Sequence, residues 1–117
     1  MIRLGHTEIF VKDPVKSREF YEKIPGFELV EIQNDIFIWL KLGPNLFLLR
    51  PGDNKLEADE YKNSNTGFVL YTEDLEKTKE EFISRGIEFS GTDGSDQCLT
   101  FKDPDGNWFQ LVNPEQH

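Results

Sequence analysis

One cysteine, one methionine and two histidines in 117 residues make this a chain defined partly by what it lacks. A lone Cys98 cannot close an internal disulfide, so the core must hold the fold and a reducing cytoplasm is the expected setting. Cys98 also lacks a second histidine in a matching motif nearby, since His117 is terminal. It therefore reads as a small buried strand residue and not as a nucleophile. Apolar runs are far shorter than a bilayer demands, and the opening residues lack a basic stretch followed by an apolar one. Neither a membrane span nor a secretory leader is expected. Lysine and arginine form no block, and 13 of them stand against 22 Asp and Glu, for a net charge of -9. That balance argues against a nucleic-acid partner. What remains is a hydrophobic fraction of 37% and a charged fraction of 30%, the profile of one globular domain large enough for a packed core.

The chain reads as two copies of one unit. Residues 5–12 alternate, with Thr7, Ile9 and Val11 on one face and His6, Glu8 and Phe10 on the other, as in a half-buried strand. Asp13 then caps a helix whose first position is Pro14, where a missing N–H costs nothing. This helix is predicted to about Lys23 with Phe20, Tyr21 and Ile24 buried, and Pro25-Gly26 ends it. Strands are predicted at 27–33, 36–42 and 45–50, joined by Asn34-Asp35 and Gly43-Pro44 turns. The order recurs: a strand at 66–72, a cap at Asp74, and a helix over 75–85 with Phe82 and Ile83 buried and Gly86 as its stop. Strands near 87–90, 97–101 and 108–112 follow. Asp13 and Asp74 fill one capping position, and Lys16/Lys77 and Glu19/Glu80 match at the same spacing. The acidic run 73–81 reads as a solvated face. The expected architecture is α+β, two βαβββ modules in a single domain over 1–117. Module one covers about 1–50, a polar linker or lid 51–65, and module two about 66–117.

These residues carry a family resemblance. Gly5-His6 followed by Phe10-Val11, Asp13 and the Phe20-Tyr21 helix, together with Phe101 and the closing Asp103-Pro104-Asp105-Gly106-Asn107-Trp108-Phe109-Gln110-Leu111-Val112 run, resemble the vicinal oxygen chelate superfamily. That superfamily includes glyoxalase I, bleomycin-resistance proteins and extradiol dioxygenases. The resemblance implies curved mixed sheets around a cleft, usually in a homodimer, and a divalent metal held by one residue from the first and fourth strands of each copy. Mapped position by position, those four places hold His6, Leu48, Gly67 and Gln110. Leu48 and Gly67 cannot coordinate, and a catalytic divalent site usually needs at least three protein ligands. Glu8, two residues from His6 on the same strand face, is the one available rescue.

Each candidate has a sharp and a bland reading. His6 is a cavity-facing ligand or base, or a strand histidine bonded to a neighbour across the sheet. Glu8 is a metal ligand, a substrate hydrogen-bonder or a rim carboxylate. Gln110 contacts substrate or is a satisfied sheet amide. The 103–107 turn reads as structural. Alternation places Leu46, Leu48 and Arg50 on one face, Gly67, Val69 and Tyr71 on another, and Trp108, Gln110 and Val112 on a third, with Trp39 as an aromatic wall. Leu46, Val69 and Val112 fit core packing equally well, while Gly67 leaves room for a ligand. The reading that follows is a protein binding a small cationic or aromatic compound in an apolar cleft, without the full metal site and without a cofactor. Its ligand-binding set is His6, Glu8, Trp39, Leu48, Arg50, Gly67, Tyr71, Trp108 and Gln110, and no catalytic residue is assigned. The alternative is a metal-dependent lyase, isomerase or dioxygenase with a divalent ion on His6, Glu8 and Gln110. A third possibility is a structural or regulatory dimer with no small-molecule site.

Overall fold

In the computed structural model the chain divides into two compact units, Met1–Lys55 and Leu56–His117. The structure describes residues 1–53 and 57–116, so residues 54–56 of the expected linker and the terminal His117 lie outside the described residues.

The first unit runs β1 (Thr7–Val11), α1 (Pro14–Tyr21), β2 (Phe27–Gln33), β3 (Phe37–Leu42) and β4 (Asn45–Pro51). Its sheet has the order β1-β4-β3-β2, with β1 parallel to β4 and the other pairs antiparallel. The Asn34-Asp35 turn closes the β2–β3 hairpin with both residues at positive φ, 52° and 63°. That conformation matches the right-handed twist of the flanking strands and suits Asn and Asp. Ile9, Leu49 and Ile38 face the core with Tyr21 and Ile24, all at most 2% exposed. Helix α1 packs over β3 and β4.

The second unit runs β5 (Gly67–Tyr71), α2 (Leu75–Ser84), β6 (Cys98–Lys102) and β7 (Trp108–Val112), in the sheet order β5-β7-β6. β5 is parallel to β7 and β6 antiparallel to it, repeating the strand relations of the first unit. The two helix caps repeat almost to the degree. Asp13 has φ -137° and ψ 95°, and Asp74 has φ -139° and ψ 94°. Each carboxylate accepts from the amide three residues on, Lys16 at 3.2 Å and Lys77 at 3.1 Å. Phe101 stacks on Phe109 at 5.1 Å and meets Phe82 edge-on at 5.6 Å, forming the aromatic centre of this core.

Three expectations are corrected. The helices stop at Tyr21 and Ser84, short of Lys23 and Arg85. Ile83 is exposed, because the buried stripe of α2 passes through Leu75 and Phe82 and the next residue turns away by a helical step. Residues 87–90 form no regular strand, although Ser90 and Gly91 exchange backbone hydrogen bonds with Thr100. Gly91 and Gly94 both sit at positive φ, 80° and 85°, which bends this edge out of ladder geometry. The described residues therefore contain a four-stranded and a three-stranded sheet.

The 103–107 turn is structural, as its composition suggests. The Asp103 carboxylate is buried. Its Oδ1 accepts from the Asp105 amide at 2.9 Å and the Asn107 amide at 2.8 Å, and its Oδ2 accepts from Asn107 Nδ2 at 2.9 Å. Asp103→Ala would strand two of these amides, and we expect a loss of about 1–3 kcal/mol in denaturant unfolding. Asp103→Asn, which keeps one acceptor, should lose less.

Candidate functional site

In the first unit, five predicted residues share one sheet face. Glu8 pairs in register with Leu48, and Leu48 with Trp39 on the next strand. His6 precedes β1 on the same side. Its ring meets the Trp39 indole edge-on, centroids 4.8 Å apart, and its Nε2 lies 2.9 Å from Glu8 Oε2. Arg50 Nη1 donates to the other oxygen, Glu8 Oε1, at 2.9 Å. The guanidinium carbon lies over two rings, 5.4 Å from the centroid of Phe10 and 5.9 Å from that of Phe37. Leu48 is 5% exposed and forms the floor, while the Trp39 indole N–H donates to Gln33 Oε1 at 3.0 Å. Hydrogen bonds from His6 and Arg50 hold the Glu8 carboxyl below its ordinary value, against an opposing desolvation.

This arrangement places a carboxylate between an imidazole and a guanidinium. Both Glu8 oxygens are engaged, His6 Nε2 points at Glu8, and a fixed cation sits on the carboxylate that a metal would need. Among the described residues, no group of three or more His, Cys, Asp or Glu is placed to hold a metal ion. The third proposed ligand, Gln110, belongs to the second unit.

There, Gly67, Tyr71, Trp108 and Gln110 lie on one face of the second sheet. The rows are Gly67 with Trp108 and Lys102, Val69 with Gln110 and Thr100, and Tyr71 with Val112 and Cys98. Tyr71 is exposed. Gln110 is 5% exposed, and its Nε2 donates to Asp93 Oδ2 at 3.1 Å. Trp108 is 1% exposed because residues 57–63 lie across it. Its indole N–H donates to the Ala58 carbonyl at 2.9 Å, Lys102 Nζ meets Glu57 Oε1 at 2.6 Å, and Tyr61 packs edge-on against the Trp108 ring. The room expected at Gly67 is filled from within the unit. A Cβ there would overlap the Tyr61 phenol. Beside this segment, a hollow of about 470 Å³ is lined by Asp59, Glu60, Tyr61, Asp93 and Thr100 among others.

Sequence reasoning did not single out Phe37, Tyr61, Asp93 or Thr100. Phe37 and Thr100 were recoverable from alternation, since they share parity with Trp39 and Cys98 respectively. Tyr61 and Asp93 stand in irregular segments, where no periodicity marks a facing direction.

The two units together define the class: an α+β protein of the two-module glyoxalase fold. A family model described as the Glyoxalase/Bleomycin resistance protein/Dioxygenase superfamily matches residues 3–111, and the chain belongs to that superfamily. No curated protein matches the sequence. Among solved structures, the chain is similar to the fosfomycin resistance protein FosX from Listeria monocytogenes, complexed with Mn(II) and sulfate. The identity is 22%, with 97% of this chain and 91% of that chain covered and a TM-score of 0.74. It is also similar to lactoylglutathione lyase from Agrobacterium tumefaciens, at 18% identity, with 97% and 95% covered and a TM-score of 0.71. At these identities the likeness shows the fold alone.

Gly67→Ala should cost about 1–3 kcal/mol in the wild-type background and markedly less when Tyr61→Ala has cleared the space, a coupling that a double-mutant cycle reads. Because the folded Glu8 carboxyl is depressed, its contribution is present above the unfolded value and is lost as pH falls through the folded one. Side-chain NMR should show Glu8 titrating below the ordinary range, and Arg50→Gln should move it up.

Proposed function

We propose that this chain binds a small molecule on the first-unit face formed by His6, Trp39, Leu48 and Arg50, and does so without a divalent metal. The observation that carries this reading is the Glu8 carboxylate, committed on one side to His6 and on the other to Arg50. Polar groups converging on an aromatic and aliphatic floor have the composition of a small-molecule site. In this reading the second-unit residues Gln110 and Trp108 serve their own unit, satisfied by Asp93 and Ala58. A homodimer and a reducing cytoplasm belong to the same proposal, the latter supported by the single buried Cys98.

Mn(II) in two FosX structures gives the metal-dependent alternative external support. Metal analysis after incubation with Mn, Fe, Ni and Zn separates the two readings. We expect substoichiometric metal and no change in melting temperature. Stoichiometric metal that disappears in His6→Ala would sink the proposal in favour of a His6, Glu8 and Gln110 site. A thermal-shift screen of aromatic and charged compounds then tests binding itself. A ligand at 100 times its dissociation constant should stabilise the chain by about 2.7 kcal/mol, and Trp39→Ala should abolish the shift.

A further inference from the structure

The class of ligand follows from Arg50, and this step rests on the binding role proposed above. A guanidinium carries five N–H donors, all in its plane, so rings stacked on its faces leave its edge for polar partners. Here the guanidinium carbon lies over the Phe10 and Phe37 rings. Glu8 takes one donor, through Nη1. Arg50 Nε is buried and has no hydrogen-bond partner among the described residues. An unpaired buried N–H is costly, and each such group calls for an acceptor. The neighbours on this face do not supply one: Leu48 is apolar, Trp39 has only its N–H, and His6 Nε2 points at Glu8.

Charge narrows the choice further. Acidic composition and aromatic walls suggest a cationic ligand, but Arg50 already occupies the π-faces of Phe10 and Phe37. A second cation on this face would meet that guanidinium at close range. With 40% of its side chain exposed, Arg50 is reachable from solvent. The geometry points to a ligand bearing a carboxylate on an aromatic body, with the carboxylate on the unpaired Nε edge of Arg50 and the ring against Trp39 and Leu48. A planar carboxylate matches the Nε–Nη edge bidentately, which a neutral amide cannot do. Because Nε is buried in the structure, binding on this edge requires the guanidinium to turn Nε toward the ligand. Glu8 and the ligand then compete for one cation, so Glu8 sets how tightly the anion is held.

The test uses the full chain and three probes that share a ring: benzoate, benzamide and benzylamine. Each is titrated while the NMR signals of the Trp39 indole, assigned with Trp39→Phe, and of the His6 ring are followed. Benzoate should bind at least about tenfold more tightly than benzamide, and benzylamine more weakly than either. Arg50→Lys should weaken benzoate about tenfold, and Glu8→Gln should tighten it. Circular dichroism checks that both variants fold. Benzylamine or benzamide matching benzoate overturns the ligand class, as does benzoate binding that Glu8→Gln leaves unchanged or weakens. The Glu8 arm decides the matter if Arg50→Lys fails to fold. If none of the three probes moves these signals while other compounds from the broader screen do, the carboxylate assignment fails and the binding role stands. If no compound binds this face at all, both fail.

Discussion

A carboxylate on a β-strand face can neutralise one neighbouring cation well, and Glu8 has already chosen its cation. Arg50 reaches it across the β1–β4 pair because parallel pairing sets Glu8 beside Leu48 and Phe10 beside Arg50. A long side chain at position 50 then spans the diagonal to the carboxylate. Most other features of the first-unit face depend on this contact. His6 is steered by the second Glu8 oxygen, Trp39 packs against the steered imidazole, and the guanidinium lies between Phe10 and Phe37. Removing Arg50 from this network leaves a partly buried carboxylate bonded only to His6.

The second unit fills the corresponding position differently. Its counterpart of the His6 position is Gly67, and there the absent side chain is replaced by Tyr61 from outside the sheet. Glu57, Ala58 and Tyr61 all anchor to the Gly67–Trp108–Lys102 row, so the described part of the linker is a docked segment with specific partners. The glycine is best understood through this close approach, since any side chain there would evict the phenol.

The repeat was readable because its markers are local. Asp13 and Asp74 announce themselves by capping chemistry, Asn34-Asp35 by its tolerance of positive φ, and the strand faces by alternation, none of which needs knowledge of distant residues. Misreadings cluster where tertiary context decides. Ile83 looks buried by residue type, yet the packing stripe of α2 runs through Leu75 and Phe82. Residues 87–90 have strand-forming composition, but Gly91 and Gly94 bend the edge. At the site, alternation grouped His6, Glu8, Leu48 and Arg50 correctly into facing sets. It could not show that Glu8 would bond both His6 and Arg50, since Arg50 lies 42 residues away and only the β1–β4 register brings it there.

On the first-unit face, Arg50 defines the ligand chemistry more than the family positions do. Reading His6 and Gln110 as the remains of a metal site treats each position by what it could coordinate. The pairings give a different order of importance. Gln110 spends its amide on Asp93, and His6 spends Nε2 on Glu8, so both are partly satisfied before any ligand arrives. Among the described residues, Arg50 alone carries a buried side-chain donor without an acceptor. Unsatisfied polar atoms, more than satisfied ones, indicate what a surface is built to receive, because a partner there recovers a cost that the free protein already bears. On this face the recovered cost belongs to a guanidinium edge, and the partner that recovers it best is a planar oxyanion.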